Sequence, residues 1–188
     1  SRLSVTATPE GLDAAVESST PPPAKMVQAA INRAIALDIA RLTINDEVVV
    51  ELRRPNLLAG VAAVTPPPGG FVQAVAQAEQ VMADLVCRHL ASCSHVADLF
   101  SGHGAFALRL AVASQVHAVE ADGAALAALD RAWREAGGAL KTVTHERRDL
   151  FRRPLLADEL KRYDGVVFDP PRAGAEAQAR ELAKASSR

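Results

Sequence analysis

The sequence predicts an α/β protein: a parallel sheet with helices on both faces, preceded by a small α+β segment. Three observations predict it. Beyond about residue 70, helical and strand-like stretches alternate, the pattern that builds parallel sheets. The last strand-like run, Val166, Val167 and Phe168, is apolar without polar alternation, as in a strand covered on both faces. A glycine turn, "FSGHGA", follows the first strand of the alternating part.

The elements follow in order. "SRLSVTATPEGLDAAVESS" alternates weakly like strands, "TPPP" interrupts it, and "AKMVQAAINRAIALDIARL" is a helical stretch. Met26, Ala29, Ala30, Ala34 and Ile35 lie close to one stripe of that helix. "LTINDEVVVEL" and "NLLAGVAAV" are β-like runs joined through Arg53, Arg54 and Pro55, read here as the two arms of a hairpin. "TPPPGG" is a stiff segment ending in a flexible pair, which suits a boundary. The expected division is therefore a small α+β subdomain over 1–65 and a Rossmann-like domain over 66–188. In the second part "VQAVAQAEQVMADLVCRHL" reads as a helix, "HVADLF" as a strand, "GAFALRLAVAS" as a helix and "QVHAVE" as a strand. "DGAALAALDRAWREAGG" is a helix stopped by Gly137 and Gly138. "LKTVTHE", "LLADELKRY" and "DGVVFD" are a strand, a short helix and a fourth strand. The expected strand order is 3-2-1-4.

Composition narrows the function classes. The chain has 188 residues, 49% hydrophobic and 23% charged, ordinary for a globular protein with a real core. Aromatics at 4% are too few for a surface that stacks many bases. A net charge of -1 gives no global field, so RNA contact would rest on local patches, Arg53 with Arg54 or the arginines of 147–153. No apolar run approaches a membrane span of about 18 residues. The amino terminus lacks a signal peptide's order of charge and apolarity. The expectation is a cytoplasmic protein. Cys87 and Cys93, two in all, read as small buried hydrophobes, and no metal site is expected.

The ligand signals sit where strands end, at the edge where open α/β sheets bind ligands. Asp98 ends the first strand of the alternating part, and Gly102 and Gly104 occupy the turn after it, where glycine permits positive φ and close approach of a ligand. Gly102, Gly104 and Ala107 also fit the dinucleotide fingerprint, so the glycines alone leave the cofactor open. Asp98 would repel a pyrophosphate but receive the cationic amino acid end of S-adenosylmethionine, which favours methyl transfer. Glu120 ends the second strand, placed to accept from ribose hydroxyls. Asp149 follows the third, either near an adenine edge or paired with its flanking arginines. Asp169 ends the fourth, where Pro170 and Pro171 turn the chain.

"PPPGGFVQA", "ADLFSGHGAFAL", "VHAVEAD", "RDLF" and "VVFDPPRAGA" together resemble the RNA uridine C5-methyltransferases, which make 5-methyluridine in tRNA and 23S rRNA. The resemblance runs from about residue 66 to the end, and the preceding segment is similar to that family's central subdomain. It implies S-adenosyl-L-methionine as cofactor and an RNA substrate. Gln73 matches a cofactor-contacting glutamine, and Phe71 helps shape that pocket. Asp98, Gly102 and Gly104 match the methionine-end site, Glu120 the ribose site, Asp149 the adenine side, and Asp169 the aspartate that faces cofactor and target base. Family members often carry Asn two residues after the glutamine, where this chain has Val75.

The resemblance also implies chemistry. Uracil C5 is a poor nucleophile, so in the family a cysteine thiolate adds at C6, C5 takes the methyl group, and a base then removes the C5 proton. Enzymes that methylate exocyclic amines often follow Asp/Asn-Pro-Pro with an aromatic residue, where this chain has Arg172. The family's nucleophile lies in a Ser-Cys-Asn-Pro motif after the DPPR helix, and neither Cys87 nor Cys93 stands in the matching place. The expectation is a retained part of a longer enzyme. Two readings stay open beside it: a noncatalytic cofactor- or RNA-binding module, and a nicotinamide-dependent oxidoreductase supported by the glycines and Glu120.

Overall fold

Two units form in the computed structural model, which describes residues 1–186: Ser1–Leu57 with Thr65–Val72, and Leu58–Val64 with the chain from Gln73 onward. This division differs from one at residue 65. The 65–72 segment stays with the first unit because Arg41 donates to the Pro66 carbonyl (2.9 Å). Ala59, Ala62 and Val64 are instead buried in the core of the second unit.

The first unit is a four-stranded sheet in the order β1 (Arg2–Thr8), β2 (Gly11–Glu17), β3 (Arg41–Ile44), β4 (Glu47–Glu51). β2 and β3 run parallel, joined across one face by α1 (Ala24–Ala36), whose Ala30, Ile31 and Ala34 pack with Ala14, Leu42 and Val50. The helix ends at Ala36, short of the stretch its sequence suggests. Asp38 takes φ +54, and the N–H groups of Asp38 and Ile39 return to the carbonyls of Ile35 and Ala34, closing the helix with an aspartate where glycine is usual. Arg53 fixes that turn, donating to the Asp38 carboxylate (2.8 Å) and carbonyl (2.8 Å) and to the Glu10 carbonyl (2.6 Å). Asp13 and Arg41 form a buried two-point ion pair (2.8 and 2.6 Å). Removing one member would leave the other charge unpaired, at a cost of about 3–5 kcal/mol.

The two β-like runs do not pair with each other. "LTINDEVVVEL" is itself a hairpin, β3 and β4, because Asn45 and Asp46 both adopt positive φ (49° and 65°), the geometry of a tight two-residue turn. "NLLAGVAAV" is a second ribbon, β5 (Leu57–Ala59) and β6 (Ala62–Val64), turning at Gly60.

The second unit carries a parallel sheet of β7 (His95–Leu99), β8 (Gln115–Glu120), β9 (Val143–Arg147) and β10 (Gly165–Phe168) in the order β10-β7-β8-β9, the expected 3-2-1-4. Val96, Val116, Ala118, Val143 and Val167 face one core. It is filled by residues of α2 (Ala76–His89), α3 (Ala107–Leu110) and α4 (Gly123–Glu135). Ala97, Leu99 and Val119 face the opposite core with Leu160 of α5 (Ala157–Leu160) and Leu182 of α6 (Glu176–Ser186). α3 is a single turn where a longer helix was expected, flanked on both sides by turns. On the second face Gln178, 0% exposed, clamps the backbone of Leu155: its Oε1 accepts from the Leu155 N–H (2.8 Å) and its Nε2 donates to the Leu155 carbonyl (3.1 Å). One amide thereby satisfies both backbone groups of a buried residue, which would otherwise carry a desolvation penalty.

Candidate functional site

The carboxyl ends of β7, β8 and β10 converge on the glycine turn, and strand alternation puts Asp98 and Glu120 on the same face as Val96 and Val116. Leaving β7, Phe100 adopts φ +63, a conformation that costs a non-glycine residue free energy and marks a fixed turn. The turn is held by its backbone. The N–H groups of Phe100 and Ser101 both donate to the Val119 carbonyl (2.9 and 3.2 Å), and the Gly104 N–H donates to the Ser101 carbonyl (2.9 Å).

The two glycines differ in what they permit. At Gly104 (φ +93) a Cβ would lie 2.8 Å from Leu129 Cδ1, so the residue lets the turn sit against α4. At Gly102 (φ +54) a Cβ would meet nothing within 4 Å, leaving open space above the turn. Glu120 ties this turn to β8: its carboxylate accepts from the N–H groups of Gly102 (3.0 Å), Ala121 (2.7 Å) and Asp122 (2.9 Å). It is a partly engaged acceptor cluster rather than a solvated strand-end charge.

Asp98 is 1% exposed, and neither carboxylate oxygen has a hydrogen-bond partner. Burial pushes its carboxyl up to about 7, with the nearby charges of Asp169 and Glu120 adding to the rise and the Ala107 N–H lowering it. That N–H falls short of a hydrogen bond to either oxygen. A buried acceptor pair of this kind, unsatisfied inside the protein, fits a cationic ligand group. Ser101 was not singled out in the sequence, yet its Oγ is also buried without a partner. Its only sequence signal is its place between Asp98 and Gly102. His103, in the same turn, is held below the usual histidine range by burial, with Glu79 opposing and Arg109 reinforcing the shift. Arg109 secures the turn from beneath, pairing with Glu79 (3.0 Å) and donating to the carbonyls of Ala105 (2.6 Å) and Leu58 (2.9 Å).

The remaining sequence-derived residues are placed unevenly. Asp169 is exposed just past β10 and makes no hydrogen bond among the described residues. Gln73 is half-buried in the loop before α2. Phe71 belongs to the first unit and is 80% exposed. Asp149 caps its own turn, accepting from the Phe151 N–H (3.0 Å), and pairs with exposed Arg152 (3.6 Å). This is the surface pairing its arginine neighbours suggested. The arginine cluster is divided: Arg152 and Arg153 are exposed, with pairings of 3.6 Å to Asp149 and 4.0 Å to Glu146, whereas the other two are engaged by the fold. Arg148 is buried, bonded at two points to Glu159 (2.9 and 3.0 Å), and Arg147 donates to the Ala121 carbonyl (3.1 Å). Phe100 packs against Phe151 (5.4 Å between centroids) and Phe168 (6.1 Å), an aromatic cluster at the same sheet edge.

The cysteines stand away from this edge. Cys93 Sγ lies 3.2 Å from the Asp164 carbonyl, before β10 begins, and the Cys87 thiol on α2 is pushed up by burial. Among the described residues no group of three or more acidic, histidine or cysteine side chains could hold a metal. None of the described helices is long and apolar enough to cross a membrane.

Comparison with solved structures settles the architecture. The chain superposes on the Pyrococcus abyssi tRNA (uracil-54, C5)-methyltransferase, solved in complex with S-adenosyl-L-homocysteine. The TM-score is 0.71 at 14% identity, covering 98% of this chain and 47% of that one. The fold is the Rossmann-like methyltransferase fold. The M. jannaschii tRNA m1G37 methyltransferase shares it, with a TM-score of 0.59 at 13% identity over 97% of this chain and 55% of that one. Sequence relatives are far closer. A protein of Mesorhizobium japonicum named as an uncharacterized RNA methyltransferase is 54% identical over 183 residues, 97% of this chain and 44% of the relative. Proteins of the same description from Agrobacterium fabrum and Zymomonas mobilis are 48% and 37% identical over 186 residues each, 44% and 46% of their lengths. The chain thus spans less than half the length of these relatives. No protein-family model matches it.

Proposed function

We propose that this chain is the cofactor-binding portion of an S-adenosylmethionine-dependent RNA methyltransferase that acts on C5 of a uridine. The observation that carries the proposal is the buried, unpartnered Asp98 carboxylate beneath a glycine turn with open space above Gly102. An acidic floor suits a cationic amino acid end and opposes a pyrophosphate, which favours this cofactor over a dinucleotide. The names of the relatives support RNA as substrate. The DPPRAG run, and the fold shared with the Pyrococcus abyssi tRNA (uracil-54, C5)-methyltransferase, support the uridine target.

The bound cofactor would supply an electrophilic sulfonium methyl group. In this reading Asp98 receives the ammonium group, Gly102 lets the cofactor approach the backbone, and Glu120 accepts from ribose hydroxyls with the lone pairs its three N–H contacts leave free. Gln73 contacts the cofactor, Asp149 shapes the adenine side by setting the turn that presents Phe151, and exposed Asp169 orients donor and target base. Phe71 is given no role. Neither cysteine suits attack on C6, since Cys93 lies toward the opposite end of β10 and the Cys87 thiol is raised, so the nucleophile is not assigned to this chain.

The test has two stages. Calorimetry with S-adenosylhomocysteine and NADH separates the cofactor classes, and binding of NADH alone would overturn the proposal. Methyl transfer by the complete protein to unmodified RNA, followed by nucleoside analysis, should yield 5-methyluridine. A different methylated nucleoside would retain RNA methylation and overturn the uridine target.

A further inference from the structure

We infer that Ser101 is a specificity residue for the amino acid end of the cofactor, its hydroxyl and the Asp98 carboxylate forming a matched donor and acceptor for a zwitterionic group. The inference rests on the cofactor reading above.

The backbone of Ser101 is fully engaged. Its N–H donates to the Val119 carbonyl (3.2 Å) and its carbonyl accepts from the Gly104 N–H (2.9 Å). The hydroxyl alone is left over: the residue is 8% exposed and Oγ is buried without a partner. Ser101 and Asp98 belong to one segment, three positions apart across the fixed φ +63 turn at Phe100. The other described side chains with buried unpartnered atoms do not share this setting. Glu10 belongs to the first unit, and Arg109 already holds Glu79, Ala105 and Leu58 through its other nitrogens.

A hydroxyl buried without a partner is unfavourable, and alanine at this position would avoid that cost. Its presence three positions from an equally unsatisfied carboxylate, across the Phe100 turn, is accounted for when a ligand satisfies both. An ionised carboxylate only accepts, so it suits an ammonium group. A hydroxyl can also donate, so it suits the carboxylate carried by the same carbon. A ligand without the amino acid end has nothing to offer either residue.

The experiment measures, on the complete protein, binding of S-adenosylhomocysteine and of 5′-methylthioadenosine, which keeps adenosine and sulfur but lacks the amino acid. Ser101→Ala should weaken S-adenosylhomocysteine about tenfold, the worth of one charge-assisted hydrogen bond, and leave 5′-methylthioadenosine within about twofold. Ser101→Cys keeps the buried volume with a poor hydrogen-bonding group and should repeat that selectivity if the alanine variant folds poorly. Unchanged affinity for S-adenosylhomocysteine, or an equal loss for both ligands, would overturn the assignment while leaving the cofactor reading intact. Failure of the unaltered protein to bind S-adenosylhomocysteine would overturn both.

Discussion

Replacing Asp98 by asparagine isolates the free energy stored beneath the glycine turn. The carboxyl rises from an ordinary 3.8 to about 7 in the fold. A raised acid is one the folded state prefers protonated, so folding stability falls as pH climbs from about 4 to about 7 and levels off above. The full difference corresponds to about 4 kcal/mol, and relaxation with water entry reduces it to about 2–4 kcal/mol. Asparagine keeps the shape and cannot ionise. Asp98→Asn should therefore stabilise the ligand-free protein at pH 8 by that amount, which is about 5–10 °C in Tm for a chain of this size. The gain should shrink to less than half at pH 5. Thermal unfolding followed by circular dichroism from pH 5 to pH 8 reads both quantities. The same variant should bind S-adenosylhomocysteine at least tenfold more weakly, because the ammonium group loses its charged partner. A variant less stable than the parent at pH 8, or a stability gap that does not change with pH, would refute the argument that this carboxylate is buried without compensation.

Three further predictions concern the glycine turn and the Arg148–Glu159 pair. Gly104→Ala should cost about 2–4 kcal/mol in urea unfolding, because a Cβ would meet Leu129 at 2.8 Å in a backbone at φ +93. Gly102→Ala, with open space around it, should cost only about 1 kcal/mol yet weaken cofactor binding more than tenfold; equal stability losses would contradict the division of roles. Glu159 behaves oppositely to Asp98. The Arg148 guanidinium and the Leu156 N–H hold its carboxyl at about 2, so its contribution is present above about pH 4.5 and is lost as pH falls toward 2. Glu159→Gln should cost about 1–2 kcal/mol at pH 7, discounted for its partial exposure, and the gap to the parent should narrow by pH 3 in chemical unfolding; a constant gap would contradict it.

The second unit was legible because its signals are local. Apolar strand runs, Asp98 before the glycines, and Gly137 with Gly138 each identify themselves within a few residues, and alternation then dictates the sheet order. The first unit was harder because its turns use residues that are not obligate turn formers. Asp38, Asn45 and Asp46 take positive φ without glycine, so the end of α1 and the tight β3–β4 turn passed for continuous elements. Charge was misleading where pairing is long-range. Arg148 stands among arginines in sequence, yet it is buried against Glu159 and the carbonyls of Arg153 and Pro154. At the site, acids and glycines announce themselves by type, whereas Ser101 becomes visible only when its buried hydroxyl is found without a partner.

The Gln178 clamp has a mechanical consequence for the segment that carries Asp169. That segment is a span with both abutments fixed: β10 is laced to β7 at one end, and at the other Gln178 is bolted to Leu155. Between these anchors the chain is not drawn tight: the Gly174 N–H donates to the Pro171 carbonyl (2.8 Å), folding the segment back on itself. An added residue has an outlet at Gly174, where φ is +77 and a Cβ would meet nothing within 4 Å, allowing the slack to bow outward. The reach of Asp169 is therefore set by the two anchors and by the turn between them.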